Sequence, residues 1–174
     1  MTFSAHRPPF EAAAAQIAKA RWFGNAWLCK TGLWPDAIAP TAMVLKLLKP
    51  HWSDDSKAAI VSASGIFFSI WVDEPSAASG RLRYNLHALK LRGLKGYKLE
   101  SRKFATAFRA SFESARRDWP NVRTDFGPQT LFEGFVESSN GAWTTQIVEL
   151  AGAFHPLGDV IDELLSQSRI YKLR

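Results

Sequence analysis

The sequence predicts an α+β fold, mainly an antiparallel sheet of about five strands backed by an N-terminal, a central and a C-terminal helix. Three observations predict it. Apolar residues alternate with a period of two around Met43–Leu48, Ile66–Val72 and Leu82–Ala88. Stripes with a period near 3.6 lie outside that run, in 9–30, 101–118 and 156–165. No repeat, low-complexity tract or long linker divides the 174 residues, so the chain reads as a single domain over 1–174 with residues 1–8 as a flexible N-terminal arm.

Pro8 and Pro9 suit a helix start, because proline in the first turn forfeits no internal hydrogen bond. Phe10, Ala13, Ile17, Ala20, Gly24 and Trp27 recur at spacings of three and four, which extends that helix from about Pro9 to Lys30, with Gly32 as its stop. Gly24-Asn25 offers an earlier break. "GLWPDAIAP" reads as a loop, since Pro35 and Pro40 refuse regular structure. Met43, Leu45 and Leu47 define a strand that Pro50 ends. "AAIVSASGIFFSIWVDE" reads as two strands turning near Ser64-Gly65, the second carrying Ile66, Phe68, Ile70 and Val72 on one face. After the turn "PSAASG", Leu82, Tyr84, Leu86 and Ala88 alternate again, although Leu82, Leu86 and Leu89 also fit a helix.

The central helix is expected from Ser101 to Asp118, with Phe104, Phe108, Ser111, Phe112 and Ala115 on its buried stripe and "WPN" after it. Thr130–Glu137 reads as a strand closed by "SSNG". Trp143–Leu150 fits strand or helix equally. Pro156 lies near the first turn expected for the last helix, followed by the stripe Leu157, Val160, Ile161, Leu164 and Leu165.

Composition narrows the function. Hydrophobic residues at 47% and charged residues at 22% suit a packed fold and exclude a disordered chain. Seven tryptophans and twelve phenylalanines point to a core or cleft built on rings. Cys29 stands alone, so no internal disulfide forms. No stretch resembles an export signal or approaches the ~20 apolar residues of a membrane span, and the chain is expected in the cytoplasm without a membrane role.

Charge is segregated. Residues 81–117 hold eleven of the 22 Lys and Arg but only two of the 16 acids, Glu100 and Glu113. Such a section attracts polyanions and makes binding salt-sensitive. Arg102, Arg109 and Arg116 repeat every seven residues and form a row on the central helix, with Lys103 and Arg117 beside it. Arg81 and Arg83 share the strand face opposite Leu82 and Tyr84. Between these elements lies "RGLKGYKLESRK", where Arg92, Lys95 and Lys98 surround two glycines able to expose backbone N–H groups. Gly93-Leu94-Lys95-Gly96 also matches the short GXXG pattern of backbone-clamping loops.

The expected function is therefore a non-enzymatic binding domain whose basic section contacts nucleic acid phosphates or an acidic protein surface. Tyr84 and Tyr97 would stack on bases. No cofactor or metal is implied: His51 beside Asp54 and Asp55 lacks further ligands at metal spacing, and Cys29 sits in an aromatic stretch. No nucleophile elbow, Walker loop or dinucleotide fingerprint occurs. The alternative is a small-molecule binder or enzyme with a ring-lined pocket between sheet and helices, its most enzyme-like group being His87, Asp125 and Glu133. A homo-oligomer is a further option.

Overall fold

A computed structural model describes residues 3–34, 41–55, 60, 64–138 and 142–170. Its frame is one sheet of five antiparallel strands in the order β1-β2-β3-β4-β5, each paired with its neighbour in sequence. The strands are β1 (Leu28–Trp34), β2 (Ala42–Leu48), β3 (Gly65–Asp73), β4 (Arg81–Leu89) and β5 (Thr130–Glu137). The helices are α1 (Arg7–Ala18), α2 (Glu74–Ala78), α3 (Ser101–Phe112) and α4 (Trp143–Ser166). The fold is the expected α+β arrangement, with N-terminal, central and C-terminal helices.

Alternation along the strands decides which face the helices cover. Met43, Leu45 and Leu47 of β2, Ile66, Phe68 and Ile70 of β3, and Leu82, Tyr84 and Leu86 of β4 are all fully buried. They pack with Phe10 and Ile17 of α1, Phe108 and Phe112 of α3, and Phe154 and Ile161 of α4 in one core. Rings dominate it: Phe68 stacks on Phe154 with centroids 4.3 Å apart, and Phe112 on Phe132 at 4.8 Å. Such stacked pairs add about 0.5–1.5 kcal/mol beyond their buried area.

Connections are fixed by local chemistry. Asp73 ends β3 and caps α2 by accepting the Ser76 N–H at 2.9 Å, while the Ser76 hydroxyl accepts the Asp73 N–H at 2.9 Å. This reciprocal cap turns the chain sharply into β4.

Four expectations need correction. Residues 3–8 are not an arm: Phe3–His6 form a 3-10 turn, α1 begins at Arg7, and the His6 ring stacks on Trp143 at 5.1 Å. The first helix ends at Ala18 rather than near Lys30; Leu28–Lys30 from its expected end and Gly32–Trp34 from the expected loop belong to the edge strand β1, and the rest of that loop lies outside the described residues. α4 runs unbroken from Trp143 through Pro156. The central helix stops at Phe112, with a separate 3-10 turn at Arg116–Asp118. The strand expected before Ser64-Gly65 lies almost wholly outside the described residues.

Candidate functional site

Residues directly opposite in antiparallel strands share a face. The register places Lys30, Lys46, Ser69, Asn85 and Glu133 in one row across all five strands, on the face turned away from the core. Neighbouring positions on that face carry aromatic rings: Phe67 pairs with His87, and Trp71 with Arg83. Together with Trp34 at the end of β1 they wall a cleft of about 360 Å³ floored by Val44, Lys46, Ser69 and Asn85. That volume suits a small ligand.

The floor is dry. Lys46 is 5% exposed, Asn85 5% and Ser69 6%, and Phe67 beside them is buried. The Lys46 ammonium lies 4.0 Å from the Phe67 ring centroid and 5.0 Å from that of Trp34, so the rings meet its charge with their electron-rich faces. Burial, and then the charge of Lys30 on the adjacent strand, push the Lys46 amine down to about 8.

His87 and Asn85 form a pair whose proton positions follow from their partners. The His87 Nδ1 lies 3.3 Å from both the Gln129 carbonyl oxygen and the Thr130 hydroxyl, and the Asn85 amide nitrogen, which only donates, faces Nε2, so Nε2 accepts and Nδ1 carries the proton. Burial, the largest influence on this ring, lowers its pKa and keeps it neutral, leaving Nε2 as an acceptor. The Asn85 Nδ2 then donates to Nε2 at 2.9 Å. This turns Asn85 Oδ1 away from the imidazole, where it has no hydrogen-bond partner while fully buried. A buried carbonyl oxygen without a donor costs about 1–3 kcal/mol.

The basic section is divided among separate surroundings. Arg83 pairs with Glu133 and stands over Trp71, and Arg81 stands over Phe135 with Glu137 at 3.9 Å. Arg109 folds inward: its Nη2 donates to the carbonyls of Phe126, Gly127 and Thr130 at 2.9–3.0 Å and its Nε to Leu131 at 3.2 Å. It staples α3 to the entry of β5 and leaves the row expected with Arg102 and Arg116. Arg116 meets Glu113 at 3.6 Å, while Arg102 and Arg117 are exposed.

The glycine loop is also occupied. Gly96 takes a φ of +88°, suited to its lack of Cβ. The Lys95 N–H, the donor a phosphate would need, already meets the Asp54 carboxylate at 3.0 and 3.3 Å. Arg92, Lys98 and Lys103 do gather around Glu100, whose carboxyl they hold below its usual range, Lys103 through a 2.9 Å bond.

Neither tyrosine fits the stacking role equally. Tyr84 is fully buried and its hydroxyl donates to the Pro120 carbonyl at 2.6 Å, so no face of its ring reaches solvent. Tyr97 is half-buried and its backbone bridges to Arg169. His87, Asp125 and Glu133 do not act together: Asp125 is bound by Arg123 at 2.6 Å, Glu133 by Arg83, and His87 by Asn85. The Cys29 thiol, pushed up to about 12 by burial, is no nucleophile at neutral pH.

Among the described residues no group of His, Cys, Asp and Glu is placed to hold a metal, and no helix is long and apolar enough to cross a membrane. No family model, curated protein or solved structure matches the chain.

Proposed function

We propose that the protein recognises a small, flat organic molecule in the cleft on the open face of the sheet. The observation that carries this reading is Asn85 Oδ1, an acceptor buried without a donor in a ring-walled cavity beside a desolvated lysine. Folding leaves such a group unsatisfied at a cost, and a ligand donor recovers it. The rings supply stacking area and Lys46 and Ser69 supply direction, the composition expected of small-molecule sites. The cleft lies on the opposite side of the sheet from the pocket anticipated between sheet and helices.

A fragment screen by amide-resolved NMR tests it. Flat aromatic fragments are expected to perturb Val44, Lys46, Ser69 and Asn85 together. Perturbations confined to the helical face, or none at millimolar fragment, would overturn the reading.

Contact with a polyanion is a second reading, favoured by one observation: Arg92, Lys98 and Lys103 surround the single acid Glu100. It concerns a small neighbourhood rather than the whole of 81–117.

A further inference from the structure

Asn85 and His87 stand two residues apart on β4, so both side chains lie on the open face of the sheet. The pairing of β4 with β5 shifts register between Leu86 and His87, and an irregularity of that kind re-aims a side chain. Here the imidazole lies against the Asn85 amide, with Nδ2 2.9 Å from Nε2. His87 lines the cleft, whereas Asn85 Oδ1 is fully buried with no hydrogen-bond partner.

The two ring nitrogens hold protons on different terms. The Gln129 carbonyl and the Thr130 hydroxyl both face Nδ1 at 3.3 Å and both can accept, so one proton stays there. A second proton can enter only at Nε2, where it would meet the N–H of the Asn85 amide head-on. Turning the carboxamide half a circle about its Cβ–Cγ bond removes that clash. Its oxygen and nitrogen ends are nearly the same size, so the turn needs no added volume. Oδ1 then accepts the imidazolium N–H in a charge-assisted bond, roughly twice as strong as a neutral one, and Nδ2 takes the place that Oδ1 held. Burial is the largest influence on the ring and holds its protonation below the ordinary imidazole range. Among the described residues, the charged groups that bear on it are Glu133 of β5, which favours the imidazolium, and Lys46 of β2, which opposes it. From β3 the ring meets Phe67, an uncharged neighbour, at 5.4 Å, while Arg109 of α3 donates to the Thr130 carbonyl.

We propose that Asn85 and His87 are a pH-operated switch: His87 Nε2 takes a proton from solvent, the Asn85 carboxamide turns over, and Oδ1 receives the new N–H. No other covalent bond changes. The neutral arrangement carries an unpartnered carbonyl oxygen, and the acid arrangement gives that oxygen a donor from within the chain. The wall of the cleft gains one positive charge in the process. The switch itself needs no ligand; resting on the small-molecule reading, the added charge favours anionic ligands at lower pH.

The ligand-free protein, isotope-labelled on nitrogen and titrated by NMR from about pH 8 down to its acid unfolding, tests this. At the upper end a nitrogen–nitrogen coupling across the hydrogen bond is expected between Asn85 Nδ2 and His87 Nε2. It should vanish as His87 titrates, while the Asn85 side-chain amide signals move with the same midpoint, below the ordinary imidazole value of about 6.5. Asn85→Asp offers Nε2 an acceptor without any turn and is expected to raise the midpoint by about 1 pH unit or more. If that variant does not fold, the wild-type titration decides alone. Asn85 signals that stay fixed while His87 titrates, no coupling at the upper pH, or a ring that stays neutral until the protein unfolds would overturn the switch. Because no ligand is present, those results leave the cleft's reading as a binding site intact, and an empty fragment screen leaves the switch intact.

Discussion

Asp162 on α4 collects three donors at once. Its carboxylate receives Lys49 Nζ at 2.5 Å, His51 Nε2 at 2.6 Å and Trp52 Nε1 at 2.8 Å, which holds the Pro50–Trp52 turn after β2 against the C-terminal helix. Burial alone raises a carboxyl pKa, but here the hydrogen bonds from His51, Lys49 and Trp52 outweigh it and bring the group to about 2. The folded value lies below the usual aspartate value of about 3.9, so the unfolded chain binds the extra proton first as pH falls. The contribution is fully present above pH ~4 and is lost as pH drops through about 2. With the side chain 31% exposed, solvent screens part of it. Asp162→Asn is expected to lower stability by about 1–2 kcal/mol at pH 7, with roughly half that gap gone by pH 3. Urea unfolding of both proteins at the two pH values measures it; a gap independent of pH would mean that packing, not the ion cluster, holds the turn. The "HWSDD" segment was thus chemically suggestive in sequence, but the acid that engages its histidine lies more than a hundred residues away, beyond any local spacing rule.

At the scale of elements, the strands β2 to β5 and the buried stripes of α1, α3 and α4 could be read from periodicity, because each has one face on a common core. β1 could not. Its seven residues are all half-buried, so no period-two pattern marks it, and Ala20, Gly24 and Trp27 happen to prolong the helical spacing of α1. In fact the chain turns after Ala18, and Trp27 enters the aromatic cluster with Trp22, Trp52 and Phe154. α4 misled for the opposite reason. Proline in a helix interior loses one hydrogen bond and costs about 3 kcal/mol, which suggests a start at Pro156. Here Pro156 is exposed, and burial of Ile147, Ala151 and Phe154 before it and Ile161 and Leu165 after it outweighs the lost bond. Gly158 on the same helix admits the Trp27 ring so closely that a Cβ would lie 2.7 Å from it. Alanine would gain about 1 kcal/mol of helix propensity and lose about 1–3 kcal/mol to overpacking. The ring is fixed by its neighbours, so Gly158→Ala is expected to be less stable than the wild type by about 1–2 kcal/mol. Thermal unfolding checks the sign, and an unchanged or higher Tm would mean that α4 shifts freely on Trp27.

Over the whole molecule, the sheet divides labour between its faces: one supports three helices and the aromatic core, and the other carries the cleft. The sequence placed Lys46 inside an apolar run, where a lysine buried on both sides is unusual, and put Arg83 and His87 on a common face. What it lacked was the strand register that sets Lys46, Ser69 and Asn85 abreast, since pairing partners are not written in local pattern. The same gap affected the charge count, which placed eleven cations within a short window without showing that the fold turns Arg109 inward and pairs Arg83 and Arg116 with acids. A long polyanion would therefore meet scattered cations, with Lys103, Arg92 and Lys98 gathered at Glu100. Each neutralised phosphate of a single strand contributes about −0.7 to the slope of log affinity against log salt. If an oligonucleotide binds through this neighbourhood, the expected slope is about −2, from roughly three phosphates. Lys98→Glu is then expected to weaken binding several-fold, while Arg83→Gln leaves it unchanged. Fluorescence anisotropy with a labelled oligonucleotide between 50 and 200 mM salt, at concentrations spanning roughly the micromolar range, gives both readouts. A slope of −5 or steeper, or an equal loss from the two substitutions, would show the cations acting as one surface despite their separation.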